Sequence, residues 1–110
     1  MKTLNSIEEL QQFISDNTGA AIYFSHDECN VCKVLKPKLV EFLDENFPEI
    51  KPAYVDVHRF KEISAQNSIF AVPTVIFYLE GKEFTRKSRN LSFSELFEEI
   101  SRPYDMIFRN

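Results

Sequence analysis

Two cysteines separated by two residues, at the junction between a strand pattern and a helix pattern, constrain this chain more than any other feature. Cys29 and Cys32 follow the apolar stretch 20–24 and open a helical pattern that runs to about Asn46. Cysteines three positions apart at a helix start lie one turn apart on nearly the same face, so their sulfurs can close and reopen a small disulfide ring. The helix N-terminus also favours a thiolate over a thiol. The pattern therefore indicates a thiol–disulfide redox site.

Two other interpretations of the cysteine pair stay open at this stage. The pair can be two small buried hydrophobic residues, although a helix start is an unusual place for inert core cysteines. It can also bind a metal ion, and zinc requires about four ligands. One chain offers only this pair with His26 and His58, and a second C-x-x-C is missing, so a zinc or iron–sulfur site would need a dimer. We therefore predict no metal and no cofactor beyond the dithiol.

Length, composition and charge limit the class of protein. A chain of 110 residues, 44% of them hydrophobic and eleven of them Phe, is long enough for one packed domain over 1–110. The net charge of −4 argues against nucleic-acid binding, which needs a basic surface. No apolar run reaches the length of a membrane span, and residues 1–12 lack the pattern of a signal peptide. We expect a cytoplasmic monomer, in which two cysteines this close are catalytic or metal-binding rather than a structural staple.

The periodicity of apolar residues predicts an alternation of helices and strands. The first predicted helix is capped by Ser6 and stopped by a left-handed Gly19, and a strand follows at 20–25. The cysteine helix, bent at Pro37, leads to a strand at 51–57, a short helix at 60–67, a strand at 75–79 and a hairpin strand at 83–87. A last helix begins at Ser92, and Pro103 interrupts it and leaves a tail at 104–110. The cysteine helix should bury Val31, Leu35, Leu39, Phe42 and Leu43. Early strands joined through helices should be parallel, and the hairpin should add an antiparallel edge.

Together these features resemble the thioredoxin family over almost the full length of the chain. Lys33 follows the C-x-x-C, Pro37 falls where the family's active-site helix is bent, the segment Val72-Pro73-Thr74 opens a buried strand, and Gly81 lies in the following hairpin. The resemblance implies a thioredoxin-like α/β fold, with a central mixed sheet of parallel strands, an antiparallel hairpin edge and helices on both faces. It also implies that the bond before Pro73 is cis and packs against the disulfide.

The same resemblance implies a protein-disulfide reductase. Cys29 would be the attacking cysteine and Cys32 the resolving one, and Val31 with Val72, Pro73 and Thr74 would form the groove that holds a substrate. The implied partners are proteins with disulfides and a separate electron donor of the thioredoxin-reductase type. A second interpretation stays open, in which a thioredoxin-like domain serves as an interaction or redox-sensing module whose cysteines are slow or merely regulatory.

The chain departs from the family pattern at four places around the predicted site. Glu28 replaces a tryptophan, and Asn30-Val31 replaces Gly-Pro between the cysteines. Tyr23 falls where the family has a buried aspartate that takes a proton from the resolving cysteine, and Arg89 falls at a glycine. We expect Glu28 to disfavour a thiolate at Cys29, against the helix dipole and Lys33. A second role for Glu28 stays open, in which it carries protons in place of the missing aspartate. Tyr23 should pack in the core, and Arg89 should favour acidic partners if it lies near the groove.

Overall fold

Within residues 1–89 and 91–109, which the computed structural model describes, the chain forms a five-stranded sheet between two layers of helices. The predicted domain also includes Asn90 and Asn110, which lie outside the described residues. The elements in chain order are β1 (Lys2–Thr3), α1 (Ile7–Asp16), β2 (Gly19–Ser25), α2 (Asn30–Asn46), β3 (Ile50–Asp56), α3 (Lys61–Gln66), β4 (Thr74–Leu79), β5 (Lys82–Ser88) and α4 (Phe93–Phe108).

The sheet is mixed, with strand order β1-β3-β2-β4-β5. Strands β1, β3 and β2 are parallel, whereas β4 pairs antiparallel with both β2 and β5. The predicted mixed sheet is confirmed, but the rule that strands joined through helices are parallel does not extend to β4. The reason is the length of α3, whose six residues span only ~9 Å and do not carry the chain back along the sheet. Consequently β4 starts at the edge where β2 and β3 end.

Both faces of the sheet are covered, so the central strands are buried throughout. One layer packs α2 and α4 on the sheet face of Tyr23 and Phe77, and the other packs α1 and α3 on the face of Ile22 and Ile76. All seven residues of β2 are buried, and so are all six of β4. The alternation of side chains along β2 therefore sends Tyr23 towards α2, the helix that carries the cysteines.

The junction between α1 and β2 differs from the sequence prediction. Ser6 caps α1 as expected, because its hydroxyl accepts a hydrogen bond from the Glu9 N–H at 3.0 Å. Gly19, however, is not a left-handed cap; it is the first residue of β2, and the helix ends at Asn17, whose side-chain amide donates to the Phe13 carbonyl. A glycine is needed at this position for space, since a Cβ on Gly19 would stand 3.0 Å from the Ile50 side chain and 3.1 Å from the Glu49 carbonyl oxygen.

The prediction that the last helix ends at Pro103 is wrong. Helix α4 continues through Pro103 to Phe108. Beyond the proline, Tyr104 is buried against Phe47, with ring centroids 5.0 Å apart, and its hydroxyl accepts a hydrogen bond from the Glu49 N–H. Burial of this aromatic side chain stabilises the helix enough to offset the backbone hydrogen bond that proline cannot donate.

The predicted hairpin is confirmed at the other end of the sheet. Glu80 and Gly81 both have positive φ, 53° and 81°, and they join β4 to β5 as a two-residue turn. Turns of this kind match the twist of the flanking strands. The hairpin holds β5 beside β4, and the far end of β5 thereby reaches the loop that precedes β4.

Candidate active site

The two cysteines lie at the first turn of α2 and form a disulfide with each other. Cys29 is the N-cap of the helix, and its Sγ accepts a hydrogen bond from the Cys32 N–H at 3.2 Å. The two Cα atoms are 5.2 Å apart. Cys29 is partly exposed, whereas Cys32 is only 2% exposed. A partner can therefore reach the sulfur of Cys29, at the positive end of the helix dipole, while Cys32 is shielded.

Tyr23 lies beneath Cys32 in the interior. Its hydroxyl donates a hydrogen bond to the Cys32 carbonyl oxygen at 3.0 Å. Burial, and to a smaller extent the neighbouring Tyr54, raises the pKa of Tyr23 to about 12. The phenol therefore stays protonated at neutral pH, and its proton is committed to the Cys32 carbonyl. Tyr23 ties the first turn of α2 to β2 but offers no base to the Cys32 thiol.

The loop before β4 contains a cis peptide bond and packs against the same core cluster as the cysteines. The Val72–Pro73 peptide bond is cis, and the half-buried Val72 packs against the same core cluster as Cys29. Thr74 is buried, and its hydroxyl donates to the Ala71 carbonyl at 2.6 Å. The same hydroxyl is 2.9 Å from the Ser88 hydroxyl. The side chain of Thr74 thus links the loop to the end of β5.

Arg89 joins this loop from the end of β5. Its N–H donates to the Pro73 carbonyl oxygen at 2.7 Å, and its backbone is left-handed, with φ of 63°. The side chain is exposed. Two cations of β5 already have partners, since Arg86 pairs with Glu83 and Lys87 with Glu99, both at 2.7 Å. Of these three cations, Arg89 is the one whose backbone is bonded to the cis-proline loop.

Exposed apolar side chains occur in the first turns of α2 and in the loop before Pro73. Val31 is 58% exposed, so its predicted place on the buried face of α2 is wrong; the buried face begins with Cys32, about 100° around the helix. Val34 is 56% exposed, and Phe70, in the loop before Pro73, is 93% exposed. The predicted modulators Glu28 and Lys33 are also exposed. These side chains are available to a docking partner.

The sequence prediction did not pair the two histidines. The rings of His26 and His58 stack with centroids 3.9 Å apart and an interplanar angle of 8°. The signal was present in the pairing of neighbouring strands: β2 ends at Ser25 and β3 at Asp56, which are partners in the parallel ladder. Residues that follow the ends of adjacent parallel strands meet at one edge of the sheet, next to the cysteines.

Comparison with known proteins gives this arrangement a family. The family model described as Thioredoxin matches residues 2–102. The chain belongs to the thioredoxin family. The thioredoxin-like protein YdfQ of Bacillus subtilis is 32% identical over 104 residues, which cover 94% of this chain and 92% of that protein. The thioredoxin of Mycoplasmoides gallisepticum is 32% identical over 98 residues, which cover 89% and 97% of the two chains.

Solved structures agree with this assignment. The X-ray structure of Fasciola hepatica thioredoxin is 32% identical, with a TM-score of 0.81 over 93% of this chain and 98% of that one. The oxidised mitochondrial thioredoxin 3 of Saccharomyces cerevisiae has the same fold, with a TM-score of 0.81 at 21% identity and coverage of 92% of this chain and 93% of that one. The predicted thioredoxin-like fold is confirmed. Family membership and the Cys29–Cys32 disulfide together support thiol–disulfide oxidoreductase activity.

Two further observations concern a metal site and a membrane-spanning helix. Among residues 1–89 and 91–109, no three or more His, Cys, Asp or Glu side chains are grouped closely enough to hold a metal ion. The absence of a metal and of any cofactor beyond the dithiol stays a prediction. In the same described part of the chain, no helix combines the length and the apolar character needed to cross a membrane.

Proposed function

We propose that this protein reduces or exchanges disulfide bonds of partner proteins through Cys29 and Cys32. The observation that carries the proposal is the asymmetry of the pair: an accessible Cys29 caps a helix, and a shielded Cys32 lies one turn further in. Unpaired N–H groups and the helix dipole favour a thiolate at the cap. Cys29 is therefore the attacking residue, and Cys32 the resolving residue.

The reaction has two displacement steps. The Cys29 thiolate attacks one sulfur of the partner disulfide, which forms a mixed disulfide and releases the first partner thiolate. The Cys32 thiolate then attacks Cys29 Sγ, which closes the disulfide seen in the structure and releases the second partner thiolate. Two electrons pass to the partner, and its two thiolates each take up a proton. No cofactor beyond the dithiol takes part, and a separate reductase of the thioredoxin-reductase type restores the dithiol.

The substrate groove lies between α2 and the cis-proline loop. Val31 forms one side, and Val72 with Pro73 forms the other, with Thr74 bracing the loop. We propose that an extended segment of the partner lies across this groove, with Glu28 and Lys33 adjusting the charge around its disulfide. The protein acts in the cytoplasm as a monomer in this proposal.

Two serine variants test the proposal together with turnover of insulin disulfides, using dithiothreitol as donor. The parent should exceed the dithiothreitol background and cycle between two free thiols and none as a monomer. Cys29→Ser should be inert and slow towards alkylating agents. Cys32→Ser should be alkylated readily at Cys29 and should accumulate mixed disulfides, which mass spectrometry identifies. If Cys29→Ser traps partners instead, or if the oxidised parent is only an intermolecular dimer, the proposed roles are wrong.

One observation favours a second candidate function. Tyr23 provides no proton acceptor beneath Cys32, so the resolving step has no carboxylate to assist it from the core. If that step is slow, the protein is an interaction or redox-sensing module that holds a mixed disulfide rather than turning it over. Insulin turnover at or below the dithiothreitol background, combined with reversible oxidation of Cys29, would identify this second function.

A further inference from the structure

The resolving step requires a proton acceptor for Cys32. A thiol ordinarily titrates near 8.5, and shielding from water disfavours its thiolate further. Cys32 is almost completely buried. Its neighbour Tyr23 keeps its own proton on the Cys32 carbonyl. The group that accepts the Cys32 proton must therefore lie outside the core region around Tyr23.

A small cavity opens beside Cys32, and Tyr23 is not among the residues that line it. It has a volume of about 60 Å³ and is lined by Ser25, His26, Asp27, Cys32, Lys33, Lys36 and Tyr54. A polar cavity of this size holds water, which transfers protons between groups that do not touch. The lining side chains are then the candidates for the acceptor.

Most of these side chains are unsuited to accept a proton at neutral pH. Lysine ammonium groups are already protonated, and the Lys36 Nζ lies 4.1 Å from the ring centroid of Tyr54. Burial, followed by the charges of Asp56 and Asp27, raises the pKa of Tyr54 to about 12, so its phenol is also protonated. Asp27 is exposed to solvent. Its solvated carboxylate is a weak base for a thiol.

His26 is the lining residue with suitable chemistry. Histidine ordinarily titrates within reach of neutral pH, as a general base should. His26 is partly exposed and lines the cavity together with Cys32, and its Nδ1 atom is buried with no hydrogen-bond partner among the described residues. A proton on that buried atom would find no acceptor, so Nε2 is the ring nitrogen that can exchange a proton with cavity water. The ring stacks on that of His58, and the backbone N–H of His58 donates to Asp56 Oδ1 at 2.9 Å, which fixes the chain at that residue.

We propose that His26 accepts the Cys32 proton through this cavity and thereby sets the rate of the resolving step. The Cys32 S–H bond breaks, the proton passes through cavity water to the imidazole, and the thiolate attacks Cys29 Sγ. The Cys29–partner S–S bond breaks, the partner leaves as a thiolate, and the imidazolium returns its proton to solvent or to that thiolate. No oxidant or reductant enters beyond the partner disulfide and the dithiol. This inference rests on the proposed function.

The stack limits the pair to one proton. A second proton would place two like charges on rings 3.9 Å apart, which is unfavourable. The other titratable groups around the cavity and the stack are Tyr23 from β2, Asp27 and Glu28 from the loop, Lys33 and Lys36 from α2, Tyr54 and Asp56 from β3, and Arg59 after His58.

A single-turnover reaction with one equivalent of dithiobis(nitrobenzoate) separates the two steps in the reduced protein. Attack by Cys29 releases the first nitrothiobenzoate, and attack by Cys32 releases the second. In His26→Asn we expect the first release to be unchanged and the second to slow by about 10²-fold near neutral pH. The pH dependence that a proton acceptor gives to the second release in the parent should be absent in His26→Asn. Asp27→Asn, which changes a carboxylate of the same cavity, is the matched control and should resemble the parent.

Chemical rescue distinguishes a proton acceptor from a structural residue. His26→Ala leaves space for an imidazole ring beside His58, and added imidazole should restore the second release in this variant but not in the parent. His26→Gln replaces His26→Asn if the latter does not fold. The inference is overturned if His26→Asn keeps the parent's second release, if both releases slow alike, or if Asp27→Asn slows the second release as much. A parent that gives only the first release overturns the proposed function as well.

Discussion

Arg89 occupies a backbone conformation that suits glycine better than arginine. Its φ of 63° costs a residue with a Cβ about 1–2 kcal/mol. The conformation lets its N–H reach the Pro73 carbonyl, but a glycine would do the same at lower cost. The exposed guanidinium beside the groove is what a glycine would not supply. We infer that the side chain contributes to the choice of partner, at some cost in stability.

Replacement of Arg89 tests whether its side chain contributes to the choice of partner and lowers the stability of the protein. Arg89→Gly should raise the free energy of unfolding by up to ~1 kcal/mol, since relief of the left-handed strain exceeds the extra entropy of glycine in the unfolded chain. Its kcat/KM towards disulfide peptides flanked by Asp or Glu should fall severalfold, but not towards neutral peptides. Arg89→Lys retains the charge and is the matched control. Urea unfolding that shows Arg89→Gly to be less stable than the parent would contradict the strain argument.

At the scale of single elements, Pro103 shows how burial overrides local propensity. A proline inside a helix ordinarily costs about 3 kcal/mol, yet α4 runs on for five residues beyond it. The turn that follows carries Tyr104, which contacts both Phe47 and Phe108. Tertiary packing therefore maintains a helix that the local sequence opposes.

Restoring the missing N–H should stabilise this helix. Pro103→Ala allows a hydrogen bond to the Glu99 carbonyl, and we expect the free energy of unfolding to rise by about 1 kcal/mol. The gain is smaller than the full cost of a helical proline because the unfolded chain becomes more flexible without the ring. Arg102→Ala, at the exposed neighbouring position, should change stability by less than about 0.5 kcal/mol. Urea unfolding of both variants measures the difference, and destabilisation by Pro103→Ala would mean that the ring itself packs favourably.

The elements that the sequence predicted well are those whose pattern is local. The cap at Ser6, the apolar run of β4 and the turn at Glu80–Gly81 depend on neighbouring residues, and all are confirmed. Strand β1 was missed because two residues carry no periodicity; it forms because Leu4 is buried and donates its N–H to the Tyr54 carbonyl. The end of α4 depends likewise on contacts distant in sequence.

The same limit applies to the candidate site. The sequence located the cysteine pair and the proline loop, because their spacing is a local pattern that matches the family. The stack of His26 on His58 joins residues 32 positions apart along the chain and follows only from the pairing of β2 with β3. The prediction for Val31 was wrong because a stripe of apolar residues changes position around a helix along its length. In the first turn of α2 the residue that faces the core is Cys32.

For the molecule as a whole, buried phenols set the alkaline limit of stability. Burial, together with nearby groups, raises the pKa of Tyr23 and of Tyr54 to about 12 each, and raises the pKa of Tyr78 as well. Tyrosine in an unfolded chain titrates near 10. Between these values the unfolded state loses protons that the folded state keeps, so the free energy of unfolding decreases as pH rises. For Tyr23 and Tyr54 this contribution is complete below about pH 10 and is lost by about pH 12.

Comparison of the parent with Tyr23→Phe isolates one of these phenols from the lysines that titrate in the same range. Near pH 7 the variant should be less stable by about 1 kcal/mol, because the Cys32 carbonyl loses a buried hydrogen bond. Between about pH 10 and 12 the parent should lose about 2–3 kcal/mol that the variant does not, since a phenol pKa raised from near 10 to about 12 is equivalent to that free energy. The two stability curves, measured by urea unfolding of the oxidised proteins, should therefore cross above about pH 10. Parallel curves over this range would show that Tyr23 ionises as readily in the folded protein as in the unfolded chain.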